Sequence, residues 1–127
     1  MALIKITGIH STLLRSSFNL SYHGQRLYAM GFPESCDHLA LSQGKHQFTA
    51  ALNNLDPGLK LMNHESPNSE LLQINLKTLP SNSGSPIVNR SGNLVGVADL
   101  SNSKNVTQGI PSHELNKLIF DYRFNKE

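Results

Sequence analysis

The chain has 127 residues, of which 38% are hydrophobic and 16% are charged, and its formal net charge is +2 at pH 7. This length suits one domain with its own core. The small net charge, without a cluster of lysine or arginine, argues against nucleic-acid binding, and no apolar run approaches the length of a membrane-spanning helix. We therefore expect neither a nucleic acid nor a membrane as partner.

The single cysteine, Cys36, excludes an intramolecular disulfide. A plain thiol in or near the core is the more ordinary interpretation of it than a functional one. The N-terminus carries no basic region followed by an apolar core and a cleavage site. A lone cysteine fits the cytoplasm, whereas a periplasmic or secreted location stays open if a further segment precedes Met1, so the sequence leaves the location unknown.

The first half of the chain predicts short strands separated by turns. Strands are predicted at residues 2–6, 26–32, 38–41 and 46–52. Residues 9–25 predict a connector that contains a turn at 21–24. A second turn is predicted at 42–45, where Gly44 suits the positive φ that such a turn can require.

The second half continues the pattern and ends in a helix. Turns are predicted at 53–58 and 90–93, a loop at 64–69, and strands at 59–62, 71–76, 86–89, 94–100 and 107–110. Ser112 is predicted to cap the helix, with Glu114 in its first turn. Helical spacing joins four apolar residues, Leu115, Leu118, Ile119 and Tyr122.

The loop Ser81-Asn82-Ser83-Gly84-Ser85-Pro86 is the stretch that points to chemistry. A serine between small, turn-forming residues is held at the tip of a tight loop, which is how acyl-transfer enzymes present a nucleophile. Gly84 and Ser85 leave room for a substrate backbone to approach, and Pro86 stiffens the exit into the next strand.

With its flanks, this loop resembles the nucleophile region of trypsin-like serine proteases, in particular the disulfide-poor HtrA-like and glutamyl-endopeptidase-like branch, whose motif is Gly-Asn-Ser-Gly-Gly/Ser-Pro. Three further segments resemble the family in the same order. Residues 1–6 resemble the strand that follows the catalytic aspartate, residues 24–33 the opening strand of the second barrel, and Ile110-Pro111-Ser112 the entry to the terminal helix.

The resemblance implies an all-β fold: a trypsin-like second six-stranded antiparallel β-barrel with a C-terminal α-helix, plus one orphan strand of the first barrel. Residues 1–25 would hold that strand and the inter-barrel connector, residues 26–111 the barrel, and residues 112–127 the helix. A bland alternative for residues 2–6 is an ordinary first strand of a small domain.

The resemblance also implies a serine endopeptidase, with Ser83 as the nucleophile and a peptide or protein as substrate. The family's histidine and aspartate come from the first barrel, so we expect them ahead of Met1, in the same parent chain or in a separate one. The six histidines of this chain fall where the family has no catalytic base. The alternative is a catalytically inactive barrel, truncated or degenerate, that acts at most as a peptide-binding or protein-binding module.

The family's oxyanion hole implies roles for the backbone N–H groups of Ser83 and Ser81, although the family has glycine at the second position. The substrate pocket would be formed by Lys77 and Thr78 before the loop, and by Ala98, Asp99 and Leu100 after the hairpin. Lys77 at the pocket floor would favour an acidic substrate side chain, or it is simply a solvated lysine. Asp99 is either a pocket wall or a polar residue on the outer face of a strand.

No cofactor and no metal are expected. The histidine and cysteine residues lack metal-ligand spacing, and no glycine pattern for binding nucleotides occurs.

Overall fold

Six strands and one helix follow each other along the chain: β1 (Arg26–Gly31), β2 (Ala40–Ala51), β3 (Glu70–Asn75), β4 (Pro86–Val88), β5 (Leu94–Ser101), β6 (Val106–Pro111) and α1 (Ser112–Phe124). The computed structural model describes residues 3–17, 21–32, 34, 37–51, 70–76, 82–101 and 105–125. The predicted turn at 53–58, strand at 59–62 and loop at 64–69 lie outside the described residues, as does Cys36.

All neighbouring strands are antiparallel, and together they form a closed barrel in the order β1-β2-β3-β6-β5-β4. Closure depends on β1, which pairs with β2 on one side and with β4 on the other. A closed sheet leaves no unpaired edge. The predicted six-stranded antiparallel barrel with a C-terminal helix is thereby confirmed.

Alternate residues of the strands fill the barrel interior, as the two-residue period of a strand requires. The interior cluster consists of Leu27, Ala29, Leu72, Ile74, Leu76, Ile87, Val95 and Ala98. On the outside of β3, Leu71 is also buried and packs against Ala50 and Ile110. Because β3 is covered on both faces, its sequence shows little alternation between polar and apolar residues.

A single 12-residue strand, β2, replaces the two strands and the turn predicted for residues 38–52. Gly44 lies inside this strand opposite Leu27. A Cβ atom at Gly44 would overlap the backbone oxygen of Asn75 and lie 2.6 Å from Leu76 Cβ. The glycine therefore serves a close approach between strands rather than a turn, a role that sequence alone does not distinguish.

Residues 3–15 form no strand, so the orphan strand predicted for residues 2–6 is not formed over its described part. The segment is attached further on, where Leu94 N–H donates to Arg15 O and Ser17 N–H donates to Leu94 O, both at 2.7 Å. The physical reason is that the barrel is closed and offers no edge, and an unpaired strand is not stable alone.

Helix α1 begins directly where β6 ends. Pro111, in extended conformation with ψ 151°, is the N-cap residue, and no side chain caps the helix. Ser112 is the first helical residue, so the prediction that it caps the helix is wrong. The cause is that strand pairing holds Pro111 opposite Gly96 up to the last residue before the helix.

The first turn of α1 contains Glu114 and the last turn Arg123, an arrangement that complements the helix dipole. The exposed rings of Phe120 and Phe124 stack with centroids 4.5 Å apart. In the part of the chain that the structure describes, no helix is long and apolar enough to cross a membrane.

The role of Gly44 leads to a testable expectation. Gly44→Ala inserts a methyl group against the backbone of Asn75, and overpacking of this kind costs about 1–3 kcal/mol. We expect urea denaturation to show that loss in the free energy of unfolding. Unchanged or increased stability would contradict the close approach between the strands.

Candidate active site

Ser83 lies at the tip of a four-residue β-turn formed by residues 82–85. Ser85 N–H donates to Asn82 O at 3.0 Å, and Gly84, the third residue of the turn, has φ of +87°. A positive φ at that position defines a type II turn, which strongly favours glycine. The local sequence thus explains the turn, and the turn leaves Ser83 exposed.

Three hydrogen bonds attach this turn to β5. Gly84 N–H donates to Ala98 O and Ala98 N–H donates to Ser85 O, each at 2.8 Å. The Ser83 hydroxyl donates to the backbone oxygen of Asp99 at 2.7 Å. The structure therefore brings together three of the predicted site residues: Ser83, Ala98 and Asp99.

A β-bulge in β5 lies at this contact. Ala98 is opposite Gly109 of β6 and Leu100 is opposite Gln108, so that Asp99 is the extra residue. A bulge bends its strand and redirects the backbone groups beside it. In this case the Asp99 carbonyl oxygen accepts the Ser83 hydroxyl, and nothing in the local sequence marks the bulge.

The side chains of Asn82 and Ser85, which flank Ser83-Gly84, are buried. Asn82 is 3% exposed and Ser85 is 8% exposed. Within the described residues, Oδ1 of Asn82 has no hydrogen-bond partner, which is an uncommon state for a buried amide oxygen. The sequence places both residues in the nucleophile loop, but it does not indicate that their side chains are buried.

The predicted site residues Lys77, Thr78 and Ser81 lie outside the described residues, and so does the side chain of Leu100. Ala98 packs in the barrel core with 4% of its surface exposed, so its contact with the turn comes from its backbone. The roles of these residues in binding substrate, and that of Ser81 in the oxyanion hole, stay predictions.

Among the five described histidines, none hydrogen-bonds to Ser83. His46 is buried, with Nδ1 at 3.2 Å from Ser21 Oγ and Nε2 at 3.1 Å from Thr49 Oγ1. It joins the connector before β1 to β2. His46 therefore has a structural role that explains its burial.

The other described histidines also lie in other surroundings. His23 Nδ1 is 2.6 Å from Gln47 O, and His38 Nδ1 is 3.0 Å from its neighbour Asp37. His113 Nε2 is 3.0 Å from Glu70 Oε2 at the start of β3. His10 is exposed, and His64 lies outside the described residues.

The described ranges contain no group of three or more histidine, cysteine or acidic residues placed to hold a metal ion. Around the turn, the groups placed for chemistry are the Ser83 hydroxyl and the backbone groups beside it.

Two glycines allow the turn geometry to be tested. Gly84 and Gly92 both have positive φ, +87° and +77°, and a Cβ atom at either would meet no other group within 4 Å. Substitution by alanine should therefore cost only backbone strain, about 1 kcal/mol in each case.

We expect Gly84→Ala and Gly92→Ala to lower the free energy of unfolding by similar amounts in urea denaturation. Only Gly84→Ala should shift the backbone amide NMR signals of Ala98 and Asp99, because only Gly84 belongs to the turn that hydrogen-bonds to these two residues. Shifts of those signals in Gly92→Ala instead would show that the turn is not the element that contacts β5.

Comparison with known proteins gives the family. The model of the trypsin-like peptidase domain matches residues 1–97. No curated protein matches the chain.

Solved structures with the same fold include the Rv3671c protease of M. tuberculosis. An inactive-form crystal structure of a serine-to-alanine mutant, from strain H37Rv, is 11% identical with a TM-score of 0.67, covering 85% of this chain and 52% of that one. The active-form structure is 14% identical with a TM-score of 0.68, covering 82% of this chain and 45% of that one.

The chain spans about half the length of these structural neighbours. At this level of identity the likeness concerns the fold. Because the family model matches more than half of the chain, and the six strands form the barrel expected of it, the chain belongs to the trypsin-like peptidase domain family.

Proposed function

We propose that this barrel is the nucleophile-bearing part of a serine endopeptidase, in which Ser83 attacks the peptide bond of a peptide or protein substrate. The observation that carries the proposal is the placement of Ser83. It is exposed at the tip of a type II turn, and that turn is held to β5 by two backbone hydrogen bonds and by the Ser83 hydroxyl itself. A nucleophile held in a rigid and exposed turn is positioned to reach a substrate carbonyl.

The reaction places a specific demand on the rest of the site. Ser83 Oγ forms a bond to the carbonyl carbon while its proton passes to a base, and the base then protonates the leaving amine as the C–N bond breaks. A water molecule then attacks the acyl group with the same proton transfers and releases it from Ser83. In the structure the hydroxyl proton is directed to the carbonyl oxygen of Asp99. A backbone carbonyl orients the hydroxyl but does not act as a base.

The base and its orienting acid are assigned to a first barrel, in the same parent chain or in a separate chain. This assignment is supported by the described histidines, of which four bond to other groups and His10 is exposed. It is also supported by the exposed apolar residues of the N-terminal segment: Leu3, Ile4, Ile6, Ile9, Leu13 and Leu14. A cluster of large exposed apolar side chains marks a surface that another domain can cover.

The oxyanion that forms during attack would be bound by the backbone N–H groups of Ser83 and Ser81. Lys77 and Thr78, with the backbone of residues 98–100, would form the substrate pocket. A lysine at the pocket floor would favour a substrate with an acidic side chain.

A second candidate is a non-catalytic barrel that binds a peptide. The observation in its favour is that the Ser83 hydroxyl donates a hydrogen bond to Asp99 O, while the five described histidines bond to other groups or face solvent. In that case the exposed turn is a binding surface and no acyl transfer occurs.

The test uses a fluorophosphonate probe, which reacts with an activated serine. The 127-residue chain alone should react only at background rate. The same chain expressed with the in-frame coding sequence that precedes Met1 should react stoichiometrically, and Ser83→Ala should abolish the reaction. Intact-mass spectrometry measures the adduct.

Two outcomes would change the conclusion. Rapid stoichiometric labelling of the isolated chain at Ser83 would show that the base lies within it. A stop codon upstream of Met1, together with no labelling of any form, would favour the non-catalytic barrel.

A further inference from the structure

We propose that Gly31, the last residue of β1, is a positioning residue for the nucleophile turn of residues 82–85. Its effect on catalysis rests on the proposed function, whereas its effect on the turn does not. Nothing in the local sequence around Ser83 indicates this role, because the two segments are about 50 residues apart.

The proposal starts from the pairing of β1 with β4. Ala29 is opposite Ile87, and continuing this antiparallel register by two residues places Gly31 opposite Ser85, the last residue of the turn. The end of β1 thus lies against the turn that precedes β4.

Glycine at this position leaves space that the turn occupies. A Cβ atom on Gly31 would overlap Ser85 Oγ and would lie 2.7 Å from Asn82 Oδ1 and 3.2 Å from Asn82 Cγ. The φ of Gly31 is outside the left-handed region, so the backbone conformation does not require glycine. The requirement comes from the side chains of the turn alone.

The buried amide oxygen of Asn82 also lies close to Gly31. The position that a Gly31 Cβ atom would occupy lies 2.7 Å from Asn82 Oδ1. A methyl group there would press on an oxygen that has no hydrogen-bond partner within the described residues.

Contacts with β1 on one side and with β5 on the other resist a displacement of the turn. Asn82 and Ser85 rest against β1 with 3% and 8% of their surfaces exposed, while the backbone of Gly84 and Ser85 is bonded to Ala98 of β5. Since Ser85 N–H is also bonded to Asn82 O, a displacement of the backbone of either residue moves the whole turn. Ser83 Oγ would then leave its 2.7 Å contact with Asp99 O.

The first experiment measures the turn without reference to catalysis, by amide hydrogen exchange in the 127-residue chain. In Gly31→Ala, the amides of Gly84 and Ser85 should exchange about tenfold faster relative to the amides of β6, because overpacking strains the turn. Adding Ser85→Ala removes the oxygen that the new methyl group overlaps. The double variant should recover most of the protection.

Gly44→Ala is the matched control, because it also inserts a methyl group against a close neighbour in the barrel, but away from the turn. It should lower global stability without changing the exchange of Gly84 and Ser85 relative to β6, which the new methyl group does not contact. Equal exchange of the turn amides in Gly31→Ala and the wild type would overturn the proposal. If Gly31→Ala does not fold, the double variant should fold, and failure of both would contradict the steric explanation.

The second experiment measures the consequence for Ser83 in the form of the protein that reacts with fluorophosphonate. Gly31→Ala should lower the rate constant of labelling at Ser83 by about tenfold or more, since small misplacements of a reacting group are costly. The KM for a peptide substrate should change little, and the second substitution Ser85→Ala should restore the rate. Labelling at the wild-type rate would overturn the catalytic part of the proposal.

The two experiments separate the two proposals. If no form of the wild-type protein is labelled but the exchange of the turn responds to Gly31→Ala as described, the proposed function fails and the positioning role of Gly31 is supported.

Discussion

Pairing of β1 with β4 is the constraint on which the rest of the structure depends. Two register pairs, Tyr28 with Val88 and Ala29 with Ile87, close the sheet into a barrel. Closure encloses the apolar cluster and removes the sheet edges. It therefore leaves residues 3–15 without a strand to join, and it brings the end of β1 against the turn that carries Ser83. One pairing thus shapes both the exposed N-terminal segment and the candidate site.

The candidate site separates orientation of the nucleophile from its activation. Backbone groups of β5 hold the turn, and the Asp99 carbonyl orients the Ser83 hydroxyl. None of these backbone groups can act as a general base, and the described histidines bond to other groups or are exposed. The proposed endopeptidase would require such a division, with the base supplied by a partner of this barrel. The same arrangement is compatible with the second candidate, a non-catalytic barrel that binds a peptide, because the barrel folds without a catalytic base.

Some sequence signals were reliable because they act locally. Gly84 at the third position of a turn, the Asn/Gly-rich residues between β4 and β5, and the apolar spacing of α1 each determine a conformation through their own backbone preferences or side chains. The predictions at Gly44 and Ser112 were wrong because they also rested on local preferences. Their local preferences, for a turn and for a helix cap, were overridden by strand contacts with Asn75 and by the pairing of Pro111 with Gly96.

The sequence by itself determined the family and the barrel with its terminal helix, because order and local motifs are enough to identify these, and it predicted Ser83 as the nucleophile. Only the tertiary structure decided that Asp99 forms a bulge whose carbonyl accepts the Ser83 hydroxyl, and that Gly31 lies under Asn82 and Ser85. These contacts join residues that are far apart in the chain. They depend on strand order, register and closure, which no local preference encodes.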